Sequence, residues 1–155
     1  MRNCKALAIG VSLLIVSASL FAAPNDSVAS SQSEANRQLV VTFYNQFFNR
    51  HDTDAAAKVV AEGYRQHNPQ VSDGKKPFVS YFKGYFQQHP QSHAQIIRSA
   101  VDGDLVWLHI HSTESPQDRG QAIVDIFRVD HGKIVEHWDV IQAIPENAAN
   151  GNSMF

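Results

Sequence analysis

Apolar positions recur along this chain in two rhythms, and the change falls near His93. Before it, Leu39, Val40, Phe43, Tyr44, Phe47 and Phe48 keep the helical period, which predicts an amphipathic helix starting at Ser33 and Glu34. Residues 53–61 predict a shorter helix capped by Asp52 or Thr53 and ended by Gly63. The string YRQHNP at 64–69 reads as a short extended piece entering a turn, because Pro69 pushes Asn68 out of helical space. A third helix opens at 73–77 and carries Phe78, Val79, Tyr81, Phe82, Tyr85 and Phe86 before Pro90 closes it. After His93 the rhythm is that of strands, over 94–101, 105–113, 121–129 and 133–142. Their short connections force antiparallel neighbours. The fold class is therefore α+β, about three helices packed on one face of a curved antiparallel sheet and free to enclose a pocket.

The stretch from Gly120 to Ile144 organises the rest. Asp130, His131 and Gly132 give a hairpin turn, and Asp125 interrupts an apolar strand where a carboxylate is costly to bury unless paired or used. Alternation puts Leu105, Trp107, His109 and His111 on one face of their strand and Val106, Leu108 and Ile110 on the other. With the following loop centred on about Asp118, antiparallel pairing sets His111 opposite Asp125. On the last strand His137 and Asp139 share a face and are expected at the pocket rim. A purely structural role for Asp125, held by His111, Arg98 or Arg128, stays open.

Residues 1–22 have the order of a signal peptide: Arg2 and Lys5, then an apolar run, then small residues to Ala23. That implies an exported chain, periplasmic or secreted, with no membrane attachment after cleavage. Cys4 is the single cysteine and leaves with the signal, so no disulfide is expected. Residues 23–33 read as a flexible polar linker, 34–144 as the domain and 145–155 as a tail. A formal charge of −2 excludes the basic footprint of a nucleic-acid binder.

The strings YRQHNPQVSDGKKPF and DIFRVDHGKIVEHWDVIQ, following an aromatic first helix, closely resemble the SnoaL-like branch of the nuclear-transport-factor-2-like superfamily. The resemblance implies a cone-shaped α+β barrel, similar in fold to ketosteroid isomerase, and a polyketide-cyclase-like aldol chemistry without a cofactor. It also implies Asp125 as general acid/base with His111 as its partner. Around them His67, His109, His137, Asp139, Trp107 and Tyr64 are the expected pocket and substrate-binding residues.

Removing a proton next to a carbonyl needs such a base in an apolar pocket, with a donor for the enolate. The expected function is thus a cyclase- or isomerase-type enzyme on a small carbonyl compound. The alternative is a non-catalytic periplasmic domain that binds a small ligand. His109 and His111 with His137 and Asp139 have metal-ligand spacing, yet no metal is expected because their strands need not adjoin. A homodimer is expected by resemblance, through a sheet face offering Val106, Leu108 and Ile110.

Overall fold

The computed structural model describes residues 26–155. The expected signal peptide lies outside the described residues. Helix α1 runs Asp26–Tyr44 and so begins inside the segment expected to be a linker. Its polar start is supported along the helix surface, where Gln32 Nε2 donates to Asn36 Oδ1 (2.9 Å) and Arg37 Nε to Glu34 Oε2 (2.8 Å). A π-helical turn, Asn45–Asn49, continues it. Asn49 then clamps that end to the sheet, its Oδ1 accepting from Ala94 N (2.8 Å) and its Nδ2 donating to Ala94 O (3.0 Å). Helix α2 is short, Thr53–Ala56 with a 3-10 turn to Val59, because the chain is extended from Val60 onward. Asp52 caps it by accepting from Ala55 N. Among the described residues no helix is long and apolar enough to cross a membrane.

The extended piece expected around Tyr64 is a full strand, β1, Val60–Gln66. Helix α3 follows at Lys75–Gln88, then β2 at His93–Asp102, β3 at Leu105–Thr113, β4 at Gln121–Asp130 and β5 at Lys133–Ala143. The sheet order is β1-β5-β4-β3-β2, with β1 parallel to β5 and the other pairs antiparallel. The sheet is mixed rather than wholly antiparallel. It is open rather than a closed barrel, since β1 and β2 remain its edges among the described residues. The last hairpin matches its sequence signal: His131 and Gly132 both take positive φ (45° and 72°) in a two-residue loop between paired Asp130 and Lys133.

Helices α1 and α3 cover one sheet face. Phe43 and Phe47 meet Phe78 of α3, the Phe47 and Phe78 rings stacking at 4.7 Å. Below them Val106, Leu108 and Ile110 are completely buried, together with Phe127 and Ile134. This corrects the expected orientation of β3. The aliphatic row is core rather than a surface on which two copies could meet, and Trp107, His109 and His111 lie on the outer face. The physical reason is transfer free energy, which favours Val, Leu and Ile in the interior over imidazoles.

Candidate functional site

Between the helices and the inner sheet face lies a cavity of about 560 Å³. Asp125, His137 and Asp139 reach it from β4 and β5, and Tyr64 and Gln66 from β1. Register decides this grouping. Asp125 pairs with Asp139 across β4 and β5, which places His137 on the diagonal of the same face. His137 Nε2 lies 3.1 Å from Asp125 Oδ1, and both side chains are buried, at 7% and 5% exposure.

His111 is not the partner of Asp125. Ser112 pairs with Gln121, so the β3–β4 loop centres between residues 116 and 117 rather than on Asp118. Asp125 therefore faces Leu108, and His111 faces Ala122. Asp118 instead ties the loop together, accepting from Glu114 N and Gly120 N. A register error of an odd number of residues reverses the face, and that is what misplaced His111. Its Nε2 donates to Arg119 O (3.0 Å), and its ring stacks on Phe155 of the tail. His109 packs on the same Phe155, and Trp107 is 37% exposed beside them. His67 is also outside the cavity. It stacks on Trp138 at 4.7 Å and contacts Glu136 Oε1 at 2.9 Å. Of the residues expected at the site, Asp125, His137, Asp139 and Tyr64 come together; His111, His109, His67 and Trp107 do not.

Two residues that sequence reasoning did not single out orient the group. Gln66 Oε1 accepts from the Asn68 backbone N–H (3.0 Å), which identifies that atom as the amide oxygen. The same oxygen lies 2.7 Å from His137 Nδ1, so Nδ1 carries a proton and donates it. Nε2 then faces a carboxylate oxygen at hydrogen-bond distance, and a second proton must sit between them. On Nε2 it makes an imidazolium beside a carboxylate; on Oδ1 it makes a carboxylic acid beside a neutral imidazole. Asn68 Nδ2 in turn donates to Asp139 Oδ2 (2.6 Å) while its Oδ1 accepts from Gln70 N (2.9 Å). Both residues stand in the YRQHNPQ string, but no periodicity marks a polar side chain at a strand end.

The hydroxyls nearby keep their protons. Burial, then the Asp125 charge, pushes the Tyr44 hydroxyl well above the usual phenol range. Tyr64 is shifted the same way, by burial and then by Asp125 and Asp139. Its hydroxyl is buried without a hydrogen-bond partner among the described residues. A hydrogen-bonding interaction with the Gln66 side chain pulls the other way, although its geometry falls short of a full hydrogen bond. Asp125, His137 and Asp139 also offer three ligand-type atoms within 4.8 Å of one another, a set that a divalent cation takes. Each side chain already has a hydrogen-bond partner, Asp125 and His137 in one another and Asp139 in the Asn68 amide.

Known structures show the same fold. A SnoaL-like protein of unknown function from Burkholderia thailandensis superposes with a TM-score of 0.62 at 18% identity, over 71% of this chain and 97% of that one. A candidate ketosteroid isomerase from Kribbella flavida gives 0.63 at 18%, over 77% and 86%. A candidate SnoaL-like polyketide cyclase from Jannaschia gives 0.62 at 18%, over 70% and 86%. At such identity the likeness concerns the fold alone. Among curated proteins the sequence finds no significant match. The SnoaL-like domain profile matches residues 40–137, a span that contains both Asp125 and His137, and the chain belongs to the SnoaL-like family.

Proposed function

We propose that this is an exported, cofactor-free acid/base enzyme that moves a proton next to the carbonyl of a small compound, in an aldol-type cyclisation or an isomerisation. The observation that carries the reading is the 3.1 Å contact between Asp125 Oδ1 and His137 Nε2 beside the cavity, with His137 Nδ1 held by Gln66 Oε1 at 2.7 Å. With that proton on Nε2, Asp125 is a carboxylate whose second oxygen can take the α-proton of a carbonyl compound. The electron pair of the broken C–H bond passes to the carbonyl oxygen as an enolate. The imidazolium offsets that charge, and the protonated hydroxyl of Tyr64, a cavity-lining residue, is the donor we assign to the oxygen. Asp125 then returns its proton to another carbon, which isomerises the substrate, or to the alkoxide formed when the enolate attacks a second carbonyl. The basic and apolar segments before Ala23 support export.

The test is deuterium incorporation from heavy water into a panel of cyclic and aryl ketones, followed by NMR. Wild-type protein should exchange at least one of them, and Asp125→Asn should lower that rate by about 100-fold or more. A ketone that binds in the cavity without exchanging would point to the non-catalytic binding domain instead. An Asp125→Asn variant that exchanges at the wild-type rate would overturn the acid/base role.

A further inference from the structure

The charge inside the cavity is one-sided. Glu114, Asp125 and Asp139 line it, and its described lining contains neither lysine nor arginine. His137 is the one lining imidazole, and its proton is shared with Asp125. Asp139 is left with a neutral amide donor, Asn68 Nδ2. Glu114 has the His89 ring 3.4 Å away at the mouth. The nearby arginines are engaged elsewhere: Arg128 by Asp104 and Glu136, and Arg65 by Glu136 at 3.8 Å.

Opposite the sheet, Phe48, Tyr81, Phe82 and Tyr85 line the helical side of the same cavity. Aromatic faces attract cations. The negative field reaches these walls, since Glu114 and Asp118 add to burial in pushing the Tyr85 hydroxyl up to about 12. A separate observation concerns a buried hydroxyl. Tyr64 lines this cavity, and its hydroxyl, on a residue 1% exposed, finds no partner in full hydrogen-bond geometry among the described residues, although the Gln66 side chain acts on it. A buried polar atom of that kind costs stability until a bound group satisfies it.

We infer that the compound taken by this cavity is a cation, a small protonated amine whose ammonium group pairs with Asp139 and whose apolar body lies against the aromatic wall. The inference rests on the acid/base reading only in taking the same cavity as the substrate site and in giving the amine a carbonyl. An anion would meet Asp139 and Glu114, while the positive charge on His137 is already paired with Asp125. A neutral compound would leave Asp139 with only a neutral amide donor as water is expelled.

Titration calorimetry with three probes of similar shape tests this near neutral pH and at low salt: 2-phenylethylammonium, 3-phenylpropan-1-ol and 3-phenylpropionate. The ammonium should bind about tenfold more tightly than the alcohol, and the carboxylate more weakly than either. Asp139→Asn and Glu114→Gln should each weaken the ammonium by about threefold or more and leave the alcohol unchanged. The Glu114 variant, at the exposed mouth, guards against a folding defect in the other. Equal or tighter binding of the alcohol or the carboxylate, or unchanged ammonium affinity in both variants, would overturn the inference. Because the readout is binding, the two proposals fail separately. Charge preference without deuterium exchange removes the enzyme reading, and exchange of neutral ketones without charge preference removes this one.

Discussion

Replacing Gln66 by leucine tests how the proton at the cavity floor is held. Gln66 Oε1 accepts two hydrogen bonds, from His137 Nδ1 at 2.7 Å and from Asn68 N at 3.0 Å. Leucine keeps most of the bulk and removes the acceptor. His137 is 7% exposed, so an orphaned Nδ1–H would cost about 1–3 kcal/mol. The imidazole can reduce that cost by carrying its proton on Nε2 alone and donating it to Asp125, leaving Nδ1 bare. About 1–2 kcal/mol is then lost, a fall in Tm of about 3–8 °C for a domain of this size. The chemical consequence is larger. The dyad now holds one proton fewer, so no imidazolium offsets the enolate. Losing one such stabilising group costs up to about 100- to 1000-fold in kcat. A loss of about 10- to 100-fold is expected here, because the cation is not in line with the oxygen.

Nitrogen NMR of the imidazole reads the same perturbation without a substrate. Wild-type His137 should show a protonated Nδ1, Gln66→Leu an unprotonated one, and Gln66→Glu, which restores an acceptor, should recover the wild-type pattern. A bare Nδ1 in the wild-type protein would refute the assignment of the proton and the mechanism built on it.

Other expectations follow from single features of the fold. Gly120 has φ +83° and an added Cβ would stand 2.2 Å from Ser112 O, so Gly120→Ala should cost at least about 2 kcal/mol in chemical denaturation, and a neutral effect would show the β3–β4 junction to be looser than described. Tyr44 and Tyr64 are held protonated well above the phenol value of 10.0, and Tyr85 to about 12. The raised folded-state values mean that the associated stability is complete below about pH 10 and is lost as pH rises toward 12 and beyond. Phenolate absorbance should therefore rise together with unfolding, and complete ionisation of a folded protein near pH 10 would contradict the burial of these hydroxyls. Protein purified without a tag should carry no stoichiometric metal and keep its Tm in chelator; one bound zinc or manganese per chain would make Asp125, His137 and Asp139 ligands in place of the shared proton.

Helical and strand periods were legible from residue order because they follow from local geometry. The aromatic spacing of Phe43, Phe47, Phe78 and Phe86 located α1 and α3, and the Asp130-His131-Gly132 turn located the β4–β5 hairpin. Asp125 stood out for the same reason, as a carboxylate in an apolar alternation. The hydrophobic pattern of β3 also contained the answer to its orientation, since three aliphatic residues alternate there with tryptophan and two histidines. Reading those histidines as functional set that signal aside.

What the chain by itself determined, then, is the element types, the α+β class and the acid at Asp125. Which histidine meets that acid was decided only in three dimensions. A strand register is settled by the summed burial of a whole face and by loop closure, not by any residue pair. Here those terms put Leu108 opposite Asp125 and brought His137 to it from the other neighbouring strand. The parallel pairing of β1 with β5 is likewise non-local. It alone brings Gln66 beside His137, across 71 residues of sequence, and so places the proton that the proposed chemistry uses.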